Sequence, residues 1–264
     1  MADIEWSQED AVGVITLNRP EKRNAFTPTM ISDWAQMLVR AQDDESVRAI
    51  VVTGAGPAFC AGADLGNLPG TPEPASGRPS PLAAKRSLTQ GVQRVPLAMA
   101  HLDKPVIAAV NGAAVGAGMD MALMCDIRVA SPQARFAAAY IRVGLIPGDG
   151  GCYYLPRIVG VAKALELLIT GDFVDAEEAL RIGLVSYVAD DAAARAMALA
   201  QRFAAMPPVH VQLTKRNVYA SQDASLDTAL ELASSHMGIV RSLDDSVEAL
   251  ASFQEKRPGT YRGA

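Results

Sequence analysis

Cysteine is scarce in this chain: Cys60, Cys125 and Cys152 are three thiols in 264 residues, an odd number with no CxxC pair. That spacing excludes a disulfide framework and a cysteine-based zinc site, and it suits a reducing, cytoplasmic compartment. Histidine is equally sparse. His101, His210 and His236 fall into neither HxxxH nor HxH spacing, so no metal site is expected and each histidine is read as structural or solvated. Basic charge is short as well, with 24 Lys and Arg against 29 Asp and Glu for a formal net charge of −5. No positive field is left to attract a phosphate backbone, which argues against nucleic acid as a partner. Apolar runs stay below the roughly 18 residues of a membrane span, and the opening MADIEWSQED is acidic, so neither a span nor a signal peptide is expected.

What the chain does have is apolar residues, 50% of the total, and enough length for one large core with a helical annex. VGVITLN, Val12 to Asn18, alternates apolar with small or polar residues and stops at Arg19-Pro20, which predicts a strand entering a loop. Thr27 as N-cap, Pro28 in the first turn, and Met30, Ile31, Trp34, Met37 and Leu38 at helical spacing predict a helix. VRAIVVTGAG and KPVIAAVNG read as buried strands, and the alternation of strand, helix and strand predicts parallel crossover units in an α/β core. MDMALMCD reads as a buried helix and IRVAS and ARFAAA as short strands, while Asp175 with Glu178 marks a capped helix that stops at Gly183. From about Ala192 the pattern is helical, giving a core over 1–200 and a helical region over 201–264. GNLPGTPEPASGRPSPLAA, beginning at Gly66, is rich in Pro, Gly and Ser without an apolar period and is expected to be a mobile surface loop over 66–82.

Two glycine-rich turns follow predicted strands, TGAGPAFCAGADL and NGAAVGAGMD. Neither fits GxGxxG, which sets a dinucleotide fold aside. Glycine turns present backbone N–H groups without side-chain obstruction, and a turn entering a helix adds the positive end of the helix dipole. Two such donors converging on one carbonyl oxygen would form an oxyanion hole, although the same small residues also permit close packing.

The two turns stand in order with GVITLNRPEKRNAF, CDIRVAS, ARFAAAYIRVGLIPGDGG, LPRIVGVAKALELLITGDFVDAEEALRIGLV and the terminal ASFQEKR. Together they resemble the crotonase superfamily, the enoyl-CoA hydratase/isomerase family, over nearly the whole chain except the Pro-rich loop. The resemblance implies an α/β fold: a crotonase-like ββα spiral core with a C-terminal helical trimerisation region, working as a homotrimer or as a hexamer of paired trimers. It implies acyl-CoA as substrate, with coenzyme A belonging to the substrate rather than acting as a separate cofactor. Ala63 and Ala117 are the implied oxyanion donors. Lys22 and Arg23 are expected near the CoA phosphates with Ala25 alongside, and Ala61, Asp64 and Leu65 beside the adenine and pantetheine. Lys256 and Arg257 are further candidates for the phosphates of a neighbouring subunit's CoA.

The family's hydratases use two glutamates. The resemblance puts the first at Asp120, one methylene shorter, and the second at Tyr140, whose reference pKa of about 10 makes it a poor base near pH 7. Asp149 lies one residue past Gly148, the position where some isomerases and dehalogenases of the family carry a catalytic Asp. It is expected either to turn into the pocket or to stabilise its own turn as an Asx residue. The implied activity is hydration of 2-enoyl-CoA in fatty-acid or related acyl-CoA metabolism. Single-carboxylate isomerisation, the more distant thioester hydrolysis, and non-catalytic acyl-CoA binding stand as alternatives.

Overall fold

The β-branched run Val12–Leu17 forms strand β2, and its side chains alternate between two apolar layers. The computed structural model describes residues 2–64, 66 and 80–264. β1 (Ile4–Glu9) pairs antiparallel with β2, and β3 (Ala49–Gly54) pairs parallel on its other side. β5 (Val106–Val110), β7 (Ile127–Ala130) and β10 (Tyr187–Val188) extend the sheet in parallel to the order β1-β2-β3-β5-β7-β10. On one face, Ile15, Ile50, Val52, Val106 and Ala108 pack in one cluster with Met30, Trp34 and Leu38 of α1 (Pro28–Asp43). On the other, Val51, Ile107 and Ala109 meet Ala192, Ala196, Leu199 and Ala200 of α8 (Ala192–Ala204). Coverage on both sides is why β5 is buried throughout and reads as a continuous apolar run.

A second, four-stranded sheet has the order β4-β6-β8-β9, built from Ala58–Cys60, Ala113–Val115, Arg135–Ala137 and Val174–Asp175. Each of β3, β5 and β7 in the large sheet is followed by one of these short strands. Helix α4 (Ala117–Leu123) follows β6, and α5 (Gly151–Val159) follows β8 after a 3-10 turn, Ala139–Val143. This is the ββα spiral that the resemblance implied. Helices α6 (Val161–Thr170) and α7 (Ala176–Arg181) lead into β10, and α9 (Pro208–Ser221), α10 (Leu226–Arg241) and α11 (Asp244–Glu255) complete the chain. Asp175 caps α7 as expected, its Oδ1 accepting from the Glu178 N–H at 2.9 Å.

The structure corrects part of the loop expected over 66–82. Pro81–Gln90 is helix α2, capped by Ser80, whose Oγ accepts from the Ala83 N–H at 3.2 Å. A Ser-Pro start is a helix signal that the surrounding prolines and glycines obscured. Residues 67–79 of that loop lie outside the described residues, as does Leu65. The chain then continues into α3 (Arg94–Ala100). β1 and the three-residue strands β4 and β6 were not expected, being too short or too polar to show a period.

One buried polar residue ties the first loop to the spiral. Asn24, in left-handed conformation at φ 57°, accepts from the Arg19 N–H at 2.9 Å and donates to the carbonyls of Ala55 and Ala58 at 2.9 and 2.8 Å. Asn24→Ala should lower stability by about 2–4 kcal/mol, from unpaired backbone groups plus the cost of alanine in that conformation, read as a lower urea midpoint.

Candidate active site

The first half of the site is the loop after β4. Phe26 donates its N–H to the Gly62 carbonyl at 2.9 Å and accepts from the Asp64 N–H at 3.0 Å, bridging Ala63 in parallel. A bridge of this form uses the groups on either side of Ala63 and leaves the Ala63 N–H on the opposite side. That N–H donates no hydrogen bond among the described residues. Gly62 sits at φ +93°, and a Cβ there would lie 2.9 Å from the Val115 carbonyl oxygen and 3.4 Å from the Ala117 nitrogen. Only glycine brings this loop against the next element.

That element is the start of α4. Gly116, at φ +54°, turns the chain out of β6 and donates to the Ala137 carbonyl at 2.8 Å. The Asp120 N–H closes the first helical bond onto the Gly116 carbonyl at 3.1 Å, so the Ala117 N–H is among the orphan donors of the helix start. Ala63 and Ala117 thus bring two uncommitted N–H groups together, with the positive end of a short helix behind them.

The loop expected to meet CoA lies along the same edge. Lys22 and Arg23 are exposed, on and just after the 3-10 turn Pro20–Lys22. The Arg23 carbonyl accepts from the Ala61 N–H at 2.9 Å and the Lys22 carbonyl from the Ala25 N–H at 3.0 Å, so these four residues are brought together. Asp64 joins them through Arg19, which the sequence reading had passed over. Both terminal nitrogens of Arg19 donate to Asp64 Oδ2 at 3.2 Å, and one also donates to the Ala25 carbonyl at 2.6 Å. Arg257, by contrast, is gripped within its own chain by Glu248 and Glu255.

The acids converge. Asp120, one turn into α4, is 1% exposed, and Asp149, in the glycine turn before α5, is 2% exposed. The Tyr140 hydroxyl lies 2.7 Å from Asp120 Oδ2 and 2.6 Å from Asp149 Oδ1. Asp149 therefore faces inward and is no surface turn residue. Its turn is held from outside by Gln93, whose Nε2 donates to the Gly148 carbonyl at 2.7 Å. Burial first, and then the neighbouring Asp149 carboxylate, hold the Asp120 carboxyl well above the usual carboxylate range. Burial and the two carboxylates push the Tyr140 phenol far up, keeping it neutral, and burial pushes the nearby Cys60 thiol up to about 12. Gly151 at the start of α5 completes the cluster: a Cβ there would stand 2.5 Å from Asp120 Oδ2. A glycine whose role is to leave room for a carboxylate gives no periodic or spacing signal in sequence.

A cavity of about 610 Å³ lies elsewhere, between the core and α9, with Leu123, Phe203, Lys215 and Tyr219 among its walls. Its one carboxylate, Asp126, is paired with Lys215 at 2.8 Å and Tyr219 at 2.7 Å, so the converging acids and uncommitted N–H groups make the other location the candidate site.

The chain is similar to known proteins over nearly its whole length. Residues 7–264 match the family model described as enoyl-CoA hydratase/isomerase. The chain is 36% identical over 258 residues to the (E)-benzylidenesuccinyl-CoA hydratase of Thauera aromatica, covering 96% of each chain. It is also 36% identical over 260 residues to the 1,2-epoxyphenylacetyl-CoA isomerase of Escherichia coli K12, covering 97% of this chain and 96% of that one. The crystal structure of an enoyl-CoA hydratase from Bacillus anthracis superposes with a TM-score of 0.92 at 31% identity, covering 100% of both chains. The chain belongs to the enoyl-CoA hydratase/isomerase family, with the crotonase fold, and is an acyl-CoA enzyme.

Gly151→Ala places a methyl against the Asp120 carboxyl while asking nothing unusual of the backbone. Turnover should fall about 100-fold from displacement of a reacting group by around 1 Å, with the circular dichroism spectrum unchanged. Steady-state kinetics on the variant would check this.

Proposed function

We propose that the enzyme adds water across the C2=C3 bond of a 2-enoyl-CoA thioester, in fatty-acid or related acyl-CoA metabolism. The observation that carries this reading is a pair of buried carboxyls joined by one hydroxyl, one of them, Asp120, a single helical turn from the uncommitted Ala117 N–H. In this reading the N–H groups of Ala63 and Ala117 bind the thioester oxygen and stabilise the enolate; one such donor is worth about 2.7–4 kcal/mol of barrier. Lys22, Arg23, Ala25, Ala61 and Asp64 line the CoA path. One carboxyl of the Asp120–Asp149 pair takes a proton from the water as its oxygen bonds to C3, and the other gives a proton to C2. The pair ends with as many protons as it began. Asp149 Oδ2, buried and without a donor among the described residues, is the atom assigned to the water.

Isomerisation is the second reading, favoured by one feature. The point between the two carboxyls is filled by the Tyr140 hydroxyl rather than left open to a water, and a protonated pair can carry a proton from C2 to C4 of a 3-enoyl thioester without one.

We also propose that copies of the chain assemble through the helices beyond residue 200, as a trimer or as paired trimers. Helices α9 and α10 have no buried residue, while Leu226, Leu230, Met237, Val247, Leu250 and Phe253 on α10 and α11 are more than half exposed. Helices of this length draw their stability from packing an apolar face, which here has no partner within the described residues of the chain. Light scattering should return three or six times 27.8 kDa.

The activity is tested by offering purified enzyme crotonyl-CoA and a 3-enoyl-CoA side by side. Hydration of the first should dominate, and Asp120→Asn should lower it by about 10²–10⁴-fold. Full turnover in that variant would remove Asp120 from the chemistry, and saturable acyl-CoA binding with neither reaction would favour a binding protein.

A further inference from the structure

We infer that Asp120, Tyr140 and Asp149 form one proton-sharing unit, in which the two carboxyls hold a single proton between them and the Tyr140 hydroxyl bridges them as a positioning group. A phenol has one proton. It can donate to Asp120 Oδ2 at 2.7 Å or to Asp149 Oδ1 at 2.6 Å, and the other short O···O contact then needs a proton from a carboxylic acid donating back to the phenol oxygen. Both carboxyls also lie within 2.7 Å of that one oxygen, an approach that two carboxylates repel and an acid–carboxylate pair holds.

Among the described residues no cationic side chain hydrogen-bonds to the unit. Asp120 comes from α4, Tyr140 from the 3-10 turn and Asp149 from the glycine turn. The other titratable groups facing them are Cys60 of β4 and Cys152 and Tyr154 of α5. All three are neutral groups with raised pKa values, and no Lys, Arg or His hydrogen-bonds to the unit among the described residues. With both aspartates 1–2% exposed, two negative charges would stand on one hydroxyl with no cation hydrogen-bonded to them among the described residues.

The arrangement also supplies a path. When the acid proton of one aspartate passes to the phenol oxygen while the phenol proton passes to the other aspartate, the acid has changed sides. Tyr140 is neutral before and after, and no charge has left the site. A pair of this kind recovers its starting form after giving a proton from one carboxyl and taking one at the other.

The inference rests on Asp120 and Asp149 as the acid–base pair, and its tests separate it from the proposed hydration. Infrared spectra of the folded enzyme near neutral pH should show the C=O stretch of a carboxylic acid, lost in Asp120→Asn. In kcat/KM against pH, Tyr140→Phe should move both limbs to higher pH by about one unit, because the hydroxyl stabilises the charged forms. Asp149→Asn should move the basic limb the opposite way by about one unit or more, because a like charge has gone. A role in packing alone would lower kcat and leave the limbs in place. The inference is overturned if the wild-type enzyme lacks the acid band, or if the Tyr140→Phe profile superimposes on wild type after scaling. An acid band lost in Asp120→Asn without any hydration would sink the proposed reaction and leave the proton-sharing unit standing. Should Tyr140→Phe not fold, the infrared comparison decides alone.

Discussion

Backbone against backbone is the contact on which this site is built. The loop after β4 and the start of α4 lie so close that a side chain at Gly62 would press on the Val115 carbonyl, and one at Gly118 would run into the carbonyl of Cys60. No side-chain contact could set two peptide N–H groups beside each other as rigidly. The same approach places Asp120, because every residue of α4 is buried and the helix has no freedom to slide or roll. Donors and acid therefore move as one body. Their relative geometry is a property of the spiral's two sheets rather than of any flexible loop.

Rigidity brings the cost of an acid buried in an apolar surround, where an isolated carboxylate is strongly unfavourable. The hydrogen bond from Tyr140 offsets part of it for Asp120, and raised proton affinity offsets the rest. Asp120 is held toward its neutral form, while Oδ2 of its partner Asp149 accepts no hydrogen bond among the described residues. The polarity needed for chemistry and the neutrality needed for burial are reconciled by keeping a shared proton within three side chains.

How much of this was legible in the sequence follows from how each feature is encoded. β2, β3, β5 and α1 announce themselves because both sheet faces and one helix stripe are apolar at a fixed period. Three-residue strands such as β4 and β6 contain no full period, so they read as glycine turns even though they carry the site. Ala63, Ala117 and Asp120 were reachable through family resemblance to two motifs, and the structure shows why glycines surround them. The direction of Asp149 was not legible. It depends on Gly150 at φ +121°, on Gln93 gripping the turn from the residue just before α3, and on Tyr140 nine residues back, and the last two are not local to the residue. Gly151 and Arg19 stayed hidden for the same reason, since the partners that give them meaning, Asp120 and Asp64, are distant in the chain.

Tyrosine at position 140, where the resemblance implied a glutamate, stands between two other carboxyls. One comes from α4 and the other from the glycine turn, and the group between them cannot ionise near neutral pH. A third carboxylate in that place would have added a charge with no cation to balance it. A phenol adds a hydrogen-bond donor to one carboxyl and an acceptor for the other, which lets both stay buried at 2.6–2.7 Å from a common atom. That geometry narrows the chemistry. Such a unit is suited to reactions in which a proton enters the substrate at one carbon and another is returned from a second atom in the same cycle. Hydration and allylic isomerisation both satisfy that condition. What separates them is whether the second atom is the oxygen of a water or a carbon of the acyl chain, and therefore what the acyl pocket admits beside Asp149 Oδ2.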